Sequence, residues 1–201
     1  MLIECGVSMM AAPGQSVSGD RHIIKQFVNG VLIAVMDGLG HGYEAAVASR
    51  VAINTLDIHA SEPVISLIRR CHEALKGTRG VVMSIASLNL LDNTMVWLGV
   101  GNVEGMLLRT DAKVSQENLP LRGGVLGYHL PPLKVSVTRL MPGDILIFVT
   151  DGIRSGFEIG LDLSEQPQQI ADHIMAQCAR GTDDALVLVV RYKGIQEEGN
   201  E

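Results

Sequence analysis

Carboxylates in this chain stand where four apolar runs begin or end. Asp37 closes the run 31–36 and opens a glycine-spaced turn, Asp37-Gly38-Leu39-Gly40-His41-Gly42. Asp151 closes the run 145–149 within Val149-Thr150-Asp151-Gly152. Asp183 and Asp184 precede the run 185–190, and Asp20 opens the run 21–28. One Asp-Gly alone is explained as a turn. A set of them at the ends of buried strands is different, because an unpaired carboxylate at a sheet rim is electrostatically costly. Gathered at one rim, such carboxylates imply a bound cation, and oxygen donors suit hard divalent ions such as Mg²⁺ and Mn²⁺.

A glycine-rich turn between strand and helix also raises the possibility of a nucleotide site. The spacing is Gly38-x-Gly40-x-Gly42, whereas dinucleotide folds use G-x-G-x-x-G and a P-loop needs a following Lys-Ser/Thr. A bare Asp37 would also repel a phosphate, and a divalent cation between them removes that conflict. Phosphate chemistry through metal ions is therefore favoured over direct cradling of a nucleotide.

The elements that must position these residues follow from pattern. Asn29-Gly30 between two apolar runs predicts a hairpin, since both residues tolerate positive φ. In an antiparallel pair, the start of one arm lies beside the end of the other, so Asp20 is expected next to Asp37. Residues 43–59 carry Ala46, Val47, Val51, Ala52 and Leu56 at helical spacing, with Glu44 in the first turn where it suits the macrodipole. Pro63 starts a second helix running towards Gly77. Residues 81–91, 94–100 and 103–110 are expected to form an antiparallel meander. Residues 121–132 form a Gly/Pro-rich loop, and 134–140 and 145–149 are further strands. Residues 153–163 are ambiguous. Ser164 is expected to cap a helix ending near Ala179, and 185–192 to be the last strand. Strands in two groups with helices inserted, mostly joined as hairpins, indicate α+β rather than a doubly wound sheet. Two packed antiparallel sheets with helices outside would bury the uniformly apolar strands on both faces.

Composition narrows the class. A chain of 201 residues suits one domain, assigned to 1–193, followed by a polar tail at 194–201. Hydrophobic residues make up 47% but aromatics only 3%, so a sizeable core must be filled mainly by aliphatic side chains. The net charge of −6 without a basic stripe argues against nucleic-acid binding. Three widely separated cysteines argue against a disulfide framework and fit a reducing compartment. No apolar run approaches the ~20 residues of a spanning helix, and the N-terminus lacks the pattern of a signal peptide. No membrane association and a cytoplasmic location are expected.

Taken together and in order, Ser18-Gly19-Asp20, Asp37-Gly38-Leu39-Gly40-His41-Gly42, Val149-Thr150-Asp151-Gly152 and Thr182-Asp183-Asp184-Ala185-Leu186-Val187 closely resemble the metal-dependent PP2C-type (PPM) serine/threonine phosphatases. The Gly-His-Gly form of the turn is similar to the bacterial sporulation and stress branch typified by SpoIIE. Gly99-Val100-Gly101-Asn102 and Leu121-Arg122-Gly123-Gly124 extend the likeness to feedback phosphatases of the stressosome. The resemblance implies an αββα sandwich holding two Mn²⁺ or Mg²⁺ ions. Asp37 would bridge both metals, the Gly38 carbonyl would complete one shell, and Asp151 and Asp183 would hold the other ion, with Asp184 the alternative to Asp183. Asp20 matches a position that supports metal-bound water. Two cations about 3.5–4 Å apart acidify a water and clamp phosphoryl oxygens for in-line attack.

The implied activity is hydrolysis of phosphoserine or phosphothreonine on a STAS-domain stressosome protein, as feedback in a bacterial stress response. The chain departs from eukaryotic members in having Asn102 where they carry a third-metal Asp. It also lacks their phosphate-binding Arg near the N-terminus, for which Arg21 and Arg154 are weak substitutes. His41 does not match their histidine position and reads as a turn residue bonded to backbone. Two rivals remain: a catalytically inactive fold-sharing binding module, which would have lost a metal carboxylate, and a hydrolase of small phosphoesters.

Overall fold

The computed structural model describes residues 2–110 and 116–194; the rest of the expected polar tail lies outside the described residues. The elements in order are β1 (Ile3–Met10), β2 (Asp20–Phe27), β3 (Gly30–Gly38), α1 (Tyr43–His59), α2 (Val64–Ala74), β4 (Val81–Asn89), β5 (Thr94–Val100), β6 (Glu104–Leu108), β7 (Gln116–Asn118), β8 (Leu121–Arg122), β9 (Ser136–Arg139), β10 (Ile145–Val149), α3 (Pro167–Cys178) and β11 (Ala185–Tyr192). One sheet has the order β1-β11-β10-β6-β7. The other has the order β2-β3-β4-β5-β8, with β9 also paired to β5. The expected α+β architecture of two sheets flanked by helices is what forms.

Alternation along the central strands explains the layering. Val31, Ile33 and Val35 of β3 face Leu146 and Phe148 of β10 and Leu186, Leu188 and Val190 of β11 across the sheet interface. The intervening Leu32, Ala34 and Met36 pack under α1 and α2. Ile145, Ile147, Val149, Val187 and Val189 pack under α3. Strands buried on both faces carry no polar positions, which is why they read as continuous apolar runs.

Some expectations are corrected in detail. The hairpin turn sits one residue early: Asn29 takes the left-handed conformation (φ 59°), while Gly30 already pairs with Phe27. A Cβ on Gly30 would stand 2.2 Å from the Phe27 ring, so glycine serves packing there. The meander breaks after β5, because β6 leaves its sheet and pairs with β10 in the other. The loop after Leu121 contains β8, parallel to β5, so that sheet is mixed. Ser164 does not cap α3: its hydroxyl donates to Asp162 Oδ1 at 2.7 Å. The helix instead starts after Gln166, whose N–H donates to the Gln169 side chain at 3.0 Å, a capping-box bond.

The two sheets meet on the single tryptophan. Trp97 of β5 and Phe148 of β10 lie with ring centroids 5.2 Å apart and planes tilted by 36°, an arrangement worth about 0.5–1.5 kcal/mol beyond area burial. The indole N–H donates to the Pro120 carbonyl at 2.9 Å. Gly105 of β6 makes room for it, since a Cβ there would stand 2.0 Å from the indole. Gly105→Ala is expected to destabilise the fold by about 1–3 kcal/mol, the usual range for overpacking. Urea unfolding followed by the fluorescence of Trp97 measures this directly, and an unchanged midpoint would refute it.

Candidate functional site

The hairpin sets Asp20 directly opposite Asp37 in the β2–β3 register. Asp37, at the C-terminal end of β3, lines a cleft of about 480 Å³ together with Asp151, Asp183, Asn102, Gly40 and Val125. Asp151 arrives from the end of β10 and Asp183 from just before β11. The carboxylates singled out at the ends of apolar runs therefore converge on one edge of the sandwich. Gly38 stands behind the lining, with its carbonyl 3.2 Å from where a Cβ on Gly19 would be. A Cβ on Gly38 itself would stand 2.3 Å from the Ala45 carbonyl, so the turn holds α1 tight against the strand end.

Strand parity decides which carboxylates are buried. Counting by twos along the inter-sheet face leads from Phe148 to Thr150, and from Leu188 through Leu186 to Asp184. Thr150 and Asp184 are accordingly buried, while Asp151 and Asp183, one residue off that face, are exposed. Asp184 accepts from the N–H of Ala12 and the N–H of Gly19, both at 2.7 Å. Both of its oxygens are thereby committed to holding the segment that leads into β2. Thr150 donates to Asp20 Oδ2 at 2.7 Å and accepts from the Leu186 N–H at 2.8 Å, tying the two sheets together. The Ser49 hydroxyl of α1 donates to the Gly19 carbonyl at 2.5 Å. Counting by twos forward along the apolar run 145–149 points to Thr150 as buried, whereas nothing in the sequence around Ser49 marks its role.

Asp20 is 1% exposed, and its Oδ1 has no hydrogen-bond partner among the described residues. Burial is the main cause that pushes its carboxyl up, to about 7, with the charges of Asp184 and Asp151 adding to it. Burial, followed by the charges of Asp20 and Asp151, pushes Asp37 up to about 9. No lysine, arginine or histidine lines the cleft among the described residues. An orphaned buried oxygen beside carboxylates crowded against their own charge is a donor set that fits hard divalent cations. The cage is not ready-made: among the described residues, no three His, Cys, Asp or Glu side chains converge at metal-holding distance. Two of the cleft carboxylates are held locally. Asp151 Oδ2 accepts from Asn102 Nδ2 at 2.9 Å, and Asp183 Oδ1 accepts from the Asp184 N–H at 2.8 Å.

The remaining candidates lie elsewhere. His41 is exposed in the turn, outside the cleft lining, and its imidazole has no hydrogen bond among the described residues; the expected bond to backbone does not form. Arg154 donates to the Gln177 carbonyl at 2.5 Å, at the end of α3. Arg21 pairs with Met36 in the hairpin and does not line the cleft.

Residues 28–193 match the family described as Stage II sporulation protein E (SpoIIE). The chain belongs to that family. Phosphoserine phosphatase RsbX of Bacillus subtilis (strain 168) is 31% identical over 168 residues, covering 81% of this chain and 83% of RsbX. Stage II sporulation protein E of the same strain is 27% identical and covers 94% of this chain, which spans only 26% of that protein. Among solved structures, a chain from work on the bacterial stressosome, a modular system adapted to control secondary messenger signalling, has a TM-score of 0.85 and 26% identity, covering 94% of this chain and 99% of its own. RsbX in complex with magnesium has a TM-score of 0.81 and 24% identity, covering 95% and 96% respectively, a likeness of fold. The SpoIIE-family assignment agrees with the resemblance carried by the aspartate motifs, and the PP2C-like sandwich is the one observed.

The electrostatics of this SpoIIE-family site have a consequence for stability. Asp20 and Asp37 titrate in the folded chain well above the ordinary carboxyl value of 3.8. The folded state therefore binds protons that the unfolded chain releases. That contribution is fully present below about pH 4 and is lost as pH rises through about 7 and 9. In EDTA, the Tm is expected to rise as pH is lowered from 9 towards 6. Asp37→Asn is expected to raise the Tm at pH 8 by roughly 2–8 °C, the shift that about 1–2 kcal/mol produces in a chain of this size. Scanning calorimetry of both proteins checks it; a lower Tm for the variant would contradict the account.

Proposed function

We propose that this chain is a metal-dependent protein serine/threonine phosphatase of the cytoplasm, its catalytic domain formed by residues 1–193. The reading is carried by one observation: Asp37, Asp151 and Asp183 line a single cleft backed by the buried, half-satisfied Asp20. Family membership supports it, as does similarity to a phosphoserine phosphatase. Asp37, Asp151, Asp183 and the Gly38 carbonyl are the groups that would hold two divalent cations, Mn²⁺ or Mg²⁺. Bound there, the cations would acidify water and offset charge on the phosphoryl oxygens.

The chain's own groups divide the remaining work. Asp20, oriented through Oδ2 by Thr150, stands buried opposite Asp37, from where it would support metal-bound water by way of that neighbour. Asn102 orients Asp151 through Nδ2 and is a poorer cation ligand than an aspartate would be. The cleft brings no imidazole to the leaving serine oxygen among the described residues, so proton delivery there falls to solvent. The catalytically inactive reading has no support in the residues, because every carboxylate it would require to be missing is present.

The substrate proposed is phosphoserine or phosphothreonine on a STAS-domain protein of a stressosome, with the chain acting as a feedback regulator of a bacterial stress response. Similarity to RsbX and to the chain from the stressosome work supports it. Asp37→Asn and Asp151→Asn are each expected to reduce phosphate release to below about a hundredth of wild type. That exceeds the 10–100-fold loss typical when only a supporting group of a metal site is removed. Excess EDTA should stop turnover and Mn²⁺ should restore it. Undiminished activity in EDTA, or faster turnover of free phosphoserine than of a phosphorylated STAS protein, would overturn the mechanism or the substrate class respectively.

A further inference from the structure

Beside the acidic cleft lies a second hollow of about 340 Å³, lined by Leu39, Gly40, Arg79, Val125 and Tyr128. It shares Leu39, Gly40 and Val125 with the cleft, so the two are continuous across the Asp37–Gly42 turn. Its chemistry is the reverse of its neighbour's. The cleft presents carboxylates, whereas the hollow presents one guanidinium among apolar surfaces, with Tyr128 67% and Leu39 37% exposed.

The hollow is preformed. Leu126 exchanges two backbone hydrogen bonds with Val81, at 3.1 and 2.9 Å. The Gly127 N–H donates to His72 Nδ1 at 3.1 Å, and the Tyr128 hydroxyl donates to the Thr78 carbonyl at 3.0 Å. These contacts pin the loop after β8 to the segment joining α2 and β4. Gly80 permits the close approach, since a Cβ there would stand 2.6 Å from the Leu126 carbonyl.

Arg79 is held but not committed. Its Nε donates to Glu44 at 2.5 Å, yet the two side chains are 47% and 66% exposed. Exposed pairs of this kind contribute about 0–1 kcal/mol, so an incoming anion can replace Glu44 at little cost. Arg79 Nη1 stands 2.7 Å from where a Cβ on Gly40 would be, which places the guanidinium over the turn that begins with Asp37. It does not line the cleft with Asp37, Asp151 and Asp183, so it is set to one side of the reacting phosphate.

We propose that this hollow is a specificity subsite for the substrate segment flanking the phosphoresidue. In it, Arg79 exchanges Glu44 for a carboxylate of that segment, while Leu39, Val125 and Tyr128 take an adjoining apolar side chain. The inference rests on the phosphatase reading above and names the substrate feature that site would select. A planar guanidinium recognises a carboxylate through paired N–H donors, and exposed aromatic and aliphatic surface beside it suits an apolar neighbour. The cation also offsets the chain's overall negative charge at the point where a doubly anionic segment must approach.

The test uses phosphoserine peptides in which one glutamate, or a glutamine in its place, is walked along an alanine-leucine background on either side of the phosphoserine. With wild type and Mn²⁺, one position of glutamate is expected to lower KM about tenfold relative to glutamine, which corresponds to about 1.4 kcal/mol. Arg79→Gln should abolish that preference with kcat retained, and Arg79→Lys should keep part of it. Glu44→Gln should lower KM for the preferred peptide. Opposite effects at the two ends of one ion pair are not what a structural salt bridge would give. An equal fall in kcat on all peptides for Arg79→Gln, or an unchanged glutamate preference, overturns the proposal. Anisotropy titrations of the same peptides, fluorescein-labelled, read the subsite without turnover. Arg79-dependent binding without phosphate release would sink the phosphatase reading alone, and glutamate-independent binding would sink the subsite.

Discussion

Desolvation of Asp20 beside Asp37 is the constraint from which the rest of the site follows. Antiparallel pairing in the first hairpin sets the two residues opposite one another, and the second sheet closes over Asp20 until almost none of it meets solvent. Two carboxylates in that position cannot both remain charged cheaply. The fold answers with Thr150, which reaches from β10 to one oxygen of Asp20 and leaves the other without a partner among the described residues. The stability given up at this edge is the same property that makes it attractive to cations, a common trade in sites built for function rather than for folding.

The two sheets cooperate in making that edge. Three central strands, β3, β10 and β11, carry an apolar inter-sheet face whose alternation runs on at this edge into Asp37, Thr150 and Asp184. Packing continues as far as the apolar stripe continues, and polar chemistry begins where it stops. Asp184 and Ser49 then anchor Gly19 from two directions, so the position of Asp20 is set by β11 and α1 as well as by its own hairpin. Trp97 and Phe148 hold the same two sheets together within the core. Loss of that contact would loosen the sheets whose edges meet at the cleft.

Charge is distributed unevenly around the Asp37–Gly42 turn. On one side lie the cleft carboxylates, and on the other the guanidinium of Arg79, with Leu39, Gly40 and Val125 between them. Gly40 and Gly42 both take positive φ, a conformation that L-residues adopt at a cost. The turn therefore joins the acidic cleft to the hollow beside Arg79, with Leu39 and Val125 bordering both.

Much of this was determined by the sequence alone. The apolar runs and their acidic ends located the central strands. The hairpin signal brought Asp20 to Asp37, although the turn itself closes one residue early because Gly30 is needed under Phe27. Helix α1 and strands β5, β10 and β11 formed over the residues expected, because local periodicity and tertiary burial agree there. Only the tertiary structure decided what depends on contacts distant in sequence. It separated Asp183, exposed in the cleft, from Asp184, whose oxygens are occupied by Ala12 and Gly19, because residues so far apart in the chain meet only when β11 docks. It moved β6 into the opposite sheet, where pairing with β10 leaves its residues 105–108 buried. It also set Arg79 over Gly40, because the antiparallel register of β3 and β4, with Gly38 opposite Val81, runs on into the residues just outside the two strands.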